Sequence, residues 1–353
     1  MSTPTSPPPD SAAFEQAKTA FFDGLAHLQA GRVAEAERAF ETSLQHVPGR
    51  VSTLINLAAT RVALGRPAEA IACADQVLAV EPGNADALLH RRNGLGKLVQ
   101  QADLLRDSGS LEEARTLYRQ ALDLGADPEL MAYCLAGLGE AAAPPRSPAS
   151  YVQALFDDYA EDFDHHLVGV LHYRVPEGLA APLAQLHPQA FRSALDLGCG
   201  TGLCGPLVRP LVQRLVGLDL APRILEQARA RGVYDELHHG EIVQHLATTA
   251  EPHDLVLAAD VFIYLGDLAP VFAALSRLMP AGGVFAFSAE TEGANELTGF
   301  TLQPSLRYAH HEGYLRRLAA SHGFEVARMA RETVREEQRQ PIEGLIVHLR
   351  RSG

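Results

Sequence analysis

Up to about residue 140 the apolar residues of this chain fall at three- and four-residue intervals, the spacing of one buried helix face; beyond residue 150 they gather in short runs that alternate with helical stretches. Within the first part, "DGLAHLQAGRVAEAERAFETSLQHVPG" and "LAATRVALGRPAEAIACADQVLAVEPG" align with a period of 34 residues, taking Gly31 to Gly65, Ala36 to Ala70 and Pro48 to Pro82. A third copy, "DSGSLEEARTLYRQALDLGADP", carries Gly109, Ala114, Tyr118 and Ala121, but Gly109 lies 44 residues after Gly65, so the helix before it is predicted to be longer.

Small residues at fixed positions let paired helices cross closely, and a proline ends the second helix of each pair. The pattern at Gly24, Gly31, Ala36, Phe40, Ser43 and Pro48 resembles the tetratricopeptide repeat, and departs from it at Ala20 and Leu54, where a bulky aromatic is usual. "PELMAYCLAGLGEAA" reads as a capping helix. The expected organisation is a tail over 1–12, a repeat domain over 13–140, a proline-broken linker "AAAPPRSPAS" over 141–150, and a second domain over 151–353.

In that second domain "SALDL", "RLVGLDL", "DLVLAAD" and "GGVFAFSA" read as strands, while "APRILEQARARG" and "LAPVFAALSRLMP" read as helices. The alternation predicts a doubly wound α/β fold, and "GFEVARMARETVREEQRQPIEGLIVHLR" adds two strands joined by a polar turn, with an antiparallel strand at the edge.

The first of those strands runs into a glycine turn, "SALDLGCGTGLCGPL". A nucleoside-triphosphate loop needs Lys and then Ser or Thr after its last glycine, and here Leu203 and Cys204 follow Gly202. A dinucleotide fingerprint is met only by forcing Gly200, Gly202 and Gly205 onto it. Asp196, just before the turn, would repel a pyrophosphate and suits the amino group of a methionine moiety. Asp219 ends the next strand 17 positions after Gly202, where a carboxylate accepts from ribose hydroxyls. Asp260 and Tyr264 stand at the carboxyl end of the strand after that.

"LDLGCGTG", "GLDLAP", "DLVLAADVFIYL" and "LSRLMPAGGVFAFS" together resemble the class I S-adenosylmethionine-dependent methyltransferases over roughly residues 150 to 350. Joined to the repeats, the chain resembles bacterial repeat-containing methyltransferases. The resemblance implies a seven-stranded sheet with a terminal antiparallel strand, S-adenosylmethionine as cofactor and S-adenosylhomocysteine as product. It also implies that the helix in "YVQALFDDYAEDFDHHLVGVLHYRVP" closes over the cofactor, making Tyr159 and Arg174 candidates for its methionine end. The cofactor set is then Tyr159, Arg174, Asp196, Gly198, Cys199, Gly200, Gly202, Leu203, Asp219, Leu220, Glu241, Ile242 and Asp260, with Glu241 an acceptor for the adenine amine.

The long segment "ETEGANELTGFTLQPSLRYAHHEGY" concentrates candidate substrate contacts in Arg307, Tyr308, His311 and Tyr314. Where the acceptor arrives protonated, a general base is sought among His166, His310 and Tyr264.

Composition narrows the partners. The 353 residues are 47% hydrophobic and 21% charged, with a formal net charge of −13, which argues against a nucleic acid or an anionic membrane as partner. Adjacent histidines at 165–166, 238–239 and 310–311 lack ligand spacing, so no metal is expected. Cys73, Cys134, Cys199 and Cys204 read as reduced thiols, and with neither a secretory signal nor a spanning segment in the pattern the expected compartment is the cytoplasm.

These features favour methyl transfer to a small-molecule or protein acceptor, the repeats recognising substrate or partner. The alternative is a repeat-based adaptor with an inactive or regulatory S-adenosylmethionine-binding domain; a nicotinamide oxidoreductase ranks third.

Overall fold

The structure, a computed structural model, describes residues 11–159, 173–337 and 340–353. The chain divides into two compact units at Met131/Ala132, so residues 132–150 cluster with the second unit, where the sequence pattern had drawn a linker at 141–150.

In the first unit, α1 (Ser11–Gln29), α2 (Val33–His46), α3 (Val51–Ala63), α4 (Pro67–Val80), α5 (Ala85–Asp107) and α6 (Leu111–Asp123) form three helical hairpins, and α7 (Pro128–Gly137) spans the division. The repeated alanines Ala36, Ala70 and Ala114 are fully buried. Gly24 faces the Phe40 ring, and Gly94 packs on Ile71 and the Pro67 carbonyl. The late third repeat is accounted for by α5, which is 23 residues long against 13 for α3. Arg61 and Arg66 both reach the buried Glu37, at 3.2 and 2.7 Å, tying α2, α3 and the start of α4.

The second unit opens with α8 (Ala149–Tyr159), α9 (Val175–Ala180) and α10 (Leu183–Leu186). There follow β1 (Phe191–Leu197), α11 (Gly205–Val208), β2 (Val212–Asp219), α12 (Pro222–Arg231), β3 (Glu236–His239), α13 (Ile242–Thr248), β4 (Leu255–Ala258), α14 (Ala269–Leu278) and β5 (Val284–Glu290). The last elements are β6 (Phe300–Leu302), β7 (Tyr308–His310), α15 (Glu312–Ser321), β8 (Phe324–Glu337) and β9 (Gln340–Arg351).

Strands β3-β2-β1-β4-β5 run parallel, β9 pairs antiparallel with β5, and β8 pairs with β9. These are the seven strands expected of a Rossmann-like sheet. The short β6–β7 hairpin extends it to nine among the described residues, β7 meeting β5 at Glu290↔Ala309.

β4 and β5 are buried along their whole length because helices cover both sheet faces. One face packs Leu195, Val216, Val256, Phe285 and Phe287 against α13, α14 and α15; the other packs Ala194, Leu215, Leu257 and Ala286 against α9 and α11. The chain turns back between β1 and β4, so the carboxyl ends of β1, β2 and β4 frame the crevice in which ligands of such sheets bind.

Among these contacts the repeat-unit glycines give a direct test. A Cβ at Gly24 would stand 2.5 Å from the Phe40 ring, and one at Gly94 2.7 Å from Ile71 Cγ1. Gly24→Ala and Gly94→Ala should each lower the unfolding free energy by about 1–3 kcal/mol in denaturant titration, although alanine is the better helix former.

Candidate functional site

After β1 the backbone turns left-handed at three glycines, with φ +62° at Gly198, +56° at Gly200 and +91° at Gly202. The space is also reserved for hydrogen, since a Cβ at Gly198 would stand 2.6 Å from Val261 and one at Gly202 2.9 Å from Tyr234. Asp219, at the end of β2, accepts from Gly200 N at 2.8 Å through Oδ2 and from Ala221 N at 2.9 Å through Oδ1. The Leu220 amide adds a third backbone donor to the same carboxylate. Burial pushes the pKa of Asp219 up, against the pull of these backbone donors.

Asp196 lies beneath the turn with 1% exposure, accepting from the Tyr234 hydroxyl at 2.7 Å. Burial raises its pKa to about 7, the Tyr234 hydrogen bond pulling it back and the Asp219 charge adding to the rise. Tyr234 also packs on Gly202, Gly205 and Gly217. Cys199 and Cys204 are buried thiols with pKa values raised by burial. Leu203 is half-buried among the apolar side chains beside them, and the Leu220 carbonyl bonds His239 Nε2 at 2.9 Å.

On the far rim Glu241 caps α13, accepting from Val243 N at 3.0 Å and Gln244 N at 2.8 Å, and pairs with Arg146 at 3.3 Å; Ile242 packs into the core. α8 closes over the neighbouring loop. Phe156 packs on Ala221 and Ile224, and Arg223 bonds the Asp157 carbonyl at 2.8 Å. Tyr159 ends α8 with its side chain outside the described residues, and His166 lies outside them altogether. Arg174 is exposed, lining a cleft with Glu332, Thr333 and Glu336.

Asp260 follows β4 with φ +57°, its N–H donating to Ser288 Oγ at 2.8 Å. Its carboxylate takes both oxygens to Arg335 Nη1, at 3.1 and 2.8 Å, and Arg335 Nη2 bonds Glu290 at the end of β5. Tyr264 is half-buried, edge-on to Phe156 at 5.6 Å, and burial raises its pKa, an effect the Arg307 charge opposes.

The other residues expected at the substrate are held within the β6–β7 insert. The Tyr308 side chain is fully buried and its hydroxyl donates to the Pro144 carbonyl at 2.8 Å. His310 is fully buried, with Nε2 bonded to the Gly266 carbonyl at 3.1 Å and a pKa lowered by burial to about 4. His311 caps α15 through Gly313 N, and the Tyr314 hydroxyl meets Asp267 Oδ1 and Leu268 N. The structure thus gathers Asp196, the glycines, Asp219, Asp260 and Tyr264 around the crevice and gives His310 and Tyr308 packing roles.

Sequence reading missed Tyr234, Glu290, Ser288 and Arg335. Tyr234 had a signal, a lone aromatic between α12 and β3. Arg335 had none, because a register shift between Thr333 and Arg335 buries Val334 and Arg335 in succession where simple alternation exposes one of them. Among the described residues no cluster of three metal-ligating side chains occurs, and no helix is long and apolar enough to cross a membrane.

Residues 195–285 match the family model described as a methyltransferase domain, and residues 27–92 match a tetratricopeptide repeat. The first match lies within the second unit and the second within the first.

Over 149 residues the chain is 32% identical to the biotin biosynthesis bifunctional protein of Bordetella avium, covering 41% of this chain and 31% of that protein. It is 28% identical over 184 residues to the malonyl-[acyl-carrier protein] O-methyltransferase of Salmonella typhimurium, covering 52% and 70%. A solved structure of the N-methyltransferase NodS from Bradyrhizobium japonicum, with S-adenosylhomocysteine, covers 57% of this chain and 98% of its own at a TM-score of 0.45 and 17% identity. The chain spans 31%, 42% and 39% of the length of the first three curated relatives it matches.

The raised pKa of Asp196 makes stability depend on pH. Between about pH 4, where an unfolded aspartate ionises, and about pH 7, the folded state holds a proton that the unfolded state has lost. Stability from this group is therefore full at low pH and lost as pH rises through 7. Asp196→Asn should remove that decline. Relative to wild type, its unfolding free energy should improve by about 2–4 kcal/mol between pH 4.5 and 8, read from denaturant titrations at both pH values.

Proposed function

We propose that the second unit binds S-adenosylmethionine across the carboxyl ends of β1, β2 and β4 and transfers its methyl group to an acceptor brought in over Asp260 and Tyr264. The observation that carries this reading is the Asp219 carboxylate at the end of β2, fixed beside the glycine turn by the Gly200 and Ala221 amides, the position at which a carboxylate accepts from ribose hydroxyls. The donor set suits that cofactor. Asp196 places a buried acidic group beneath the turn, which favours an ammonium group over a pyrophosphate above it, and three left-handed glycines leave room for backbone to approach the ligand.

Bound S-adenosylmethionine supplies an already activated methyl, so the protein's task is alignment and exclusion of water. α8, the 144–147 segment and the turn at Phe262–Tyr264 form the walls. Ser147 N bonds the Tyr264 carbonyl at 2.9 Å, and the Pro145 carbonyl accepts from the Gly266 and Asp267 amides. Arg307 and Tyr264, both half-buried beside this wall, are the substrate-side groups. His310, enclosed and low in pKa, is a poor base for an acceptor arriving from solvent.

The acceptor is a small molecule or a protein. One of the relatives named above acts on malonyl-[acyl-carrier protein], so a carrier-bound acid belongs in the first acceptor panel. The tetratricopeptide unit recruits the acceptor or a protein partner, since concave helical repeats are suited to holding extended segments.

Calorimetric titration with S-adenosylmethionine, S-adenosylhomocysteine and NADH tests the cofactor assignment. The adenosyl ligands should bind and NADH should not, and Asp219→Ala should weaken both adenosyl ligands at least tenfold while the protein stays folded. Equal affinity of wild type and variant would refute the role given to Asp219.

A further inference from the structure

Two carboxylates and a guanidinium are stacked at the end of the sheet where the methyl group must be passed on. Arg335 is 2% exposed in its side chain, Glu290 7% and Asp260 17%, so the one charge of the three that opens outward is the Asp260 carboxylate. All three are anchored from different strands: Asp260 from the end of β4, Glu290 from the end of β5, and Arg335 from β8 through the register shift that turns it inward.

The Asp260 backbone is left-handed, which costs a non-glycine residue on the order of 1–2 kcal/mol, and its amide is tied to the buried Ser288 hydroxyl. Val261, the residue after Asp260, packs against Gly198 so closely that a Cβ there would stand 2.6 Å from it, which places the trio on the same edge as the glycine turn.

A buried ion cluster is a poor route to stability, because desolvation offsets most of the attraction. Its geometry suits another task. One Arg335 nitrogen spans both Asp260 oxygens and the other bonds Glu290, on which the Arg307 charge also acts, so that two carboxylates share Arg335 and the Asp260 carboxylate is held in one orientation.

We propose that Arg335 is a positioning residue of the methyl-transfer edge, which with Glu290 holds the Asp260 carboxylate facing the positively charged sulfonium end of the cofactor. This rests on the S-adenosylmethionine reading above. The carboxylate then favours the charged cofactor over its neutral thioether product, which helps the product leave.

S-adenosylmethionine and S-adenosylhomocysteine differ by the methyl and its charge, so their affinity ratio reports the field at the sulfur independently of how well either ligand fits. Calorimetry on wild type, Asp260→Asn, Arg335→Met and the double variant forms the test. In the wild-type background Asp260→Asn should lower the ratio of S-adenosylmethionine to S-adenosylhomocysteine affinity about tenfold. In the Arg335→Met background, where the carboxylate is no longer held, the same change should shift the ratio less than about twofold. Arg335→Lys, which keeps the charge, should restore most of the shift.

Equal shifts in both backgrounds, no shift in either, or parallel loss of both ligands at a constant ratio would each overturn the assignment and leave Arg335 a structural residue. Should Arg335→Met fail to fold, Glu290→Gln takes its place in the cycle. It should shrink the Asp260→Asn shift at least threefold, because Arg335 then loses its second anchor, and an undiminished shift overturns the proposal. A folded wild type that binds neither ligand overturns the cofactor reading itself, a result distinct from binding with an insensitive ratio.

Discussion

The carboxyl edge of the second unit depends on a single carboxylate bonded to two backbone amides. Asp219 joins Gly200 of the turn after β1 to Ala221 at the start of α12, reinforcing the Cys199 N–Leu218 carbonyl bond at 3.0 Å and the Arg231 Nε–Thr201 carbonyl bond at 2.6 Å between the same two segments. Three left-handed glycines make the first loop able to turn but also free to wander in the unfolded chain. A charge-assisted bond to Gly200 N selects one of its conformations, and Tyr234 closes the turn from below by packing on Gly202 and bonding Asp196. The crevice is thereby set before any ligand arrives.

That arrangement concentrates acidic groups in a poorly solvated place. Asp196, Asp219 and Glu290 all have pKa values raised chiefly by burial, and Arg335 is the deeply buried cation that answers the last of them. Buried acids and their cation gather here, whereas the sheet core around Leu195, Val256, Phe285 and Phe287 is apolar apart from the fully buried His348 on β9. Conflict between burial and charge confined to one edge is what a ligand site looks like when it is built at the expense of stability. A ligand carrying positive charge at two points would relieve that conflict, and this is the electrostatic reason to favour a sulfonium amino acid over a pyrophosphate.

Much of this was legible in the sequence because it is local. A 34-residue period, the alternation of strands with helices, the glycine turn and the acidic residue ending β2 are all patterns within short windows, and the long α5 followed from one displaced glycine. What escaped was non-local. Arg335 reaches the site through a strand irregularity more than 70 residues from Asp260, and no periodicity announces it. The cluster Tyr308, His310, His311 and Tyr314 misled for the opposite reason. Its composition is that of a binding surface, yet Tyr308 and His310 tie the β6–β7 hairpin to Pro144 and Gly266, His311 caps α15, and Tyr314 ties α15 to Asp267. Polar residues in a long insertion have two uses, contacting a ligand or holding the insertion in place, and composition does not separate them.

The insertion's own ties show what that second use achieves. The Tyr133 hydroxyl bonds the Leu306 carbonyl and Ser147 Oγ, both at 2.6 Å, while Leu306 itself sits at φ +60°. Residues 133, 144–147, 264–267 and 306–310 thus form one hydrogen-bonded frame beside Asp260, with the polar groups of an irregular segment satisfied inside it. A frame of this kind fixes the backbone around Tyr264 and leaves selectivity to the few side chains that face outward from it. Arg307, half-buried between the framed Leu306 and Tyr308, carries a charge that acts on both Tyr264 and Glu290 beside that frame. The frame and the Asp219 tie share no hydrogen bond among the described residues, so the insertion and the glycine turn are two separately braced parts of the same edge, and a change in one leaves the bonds of the other intact.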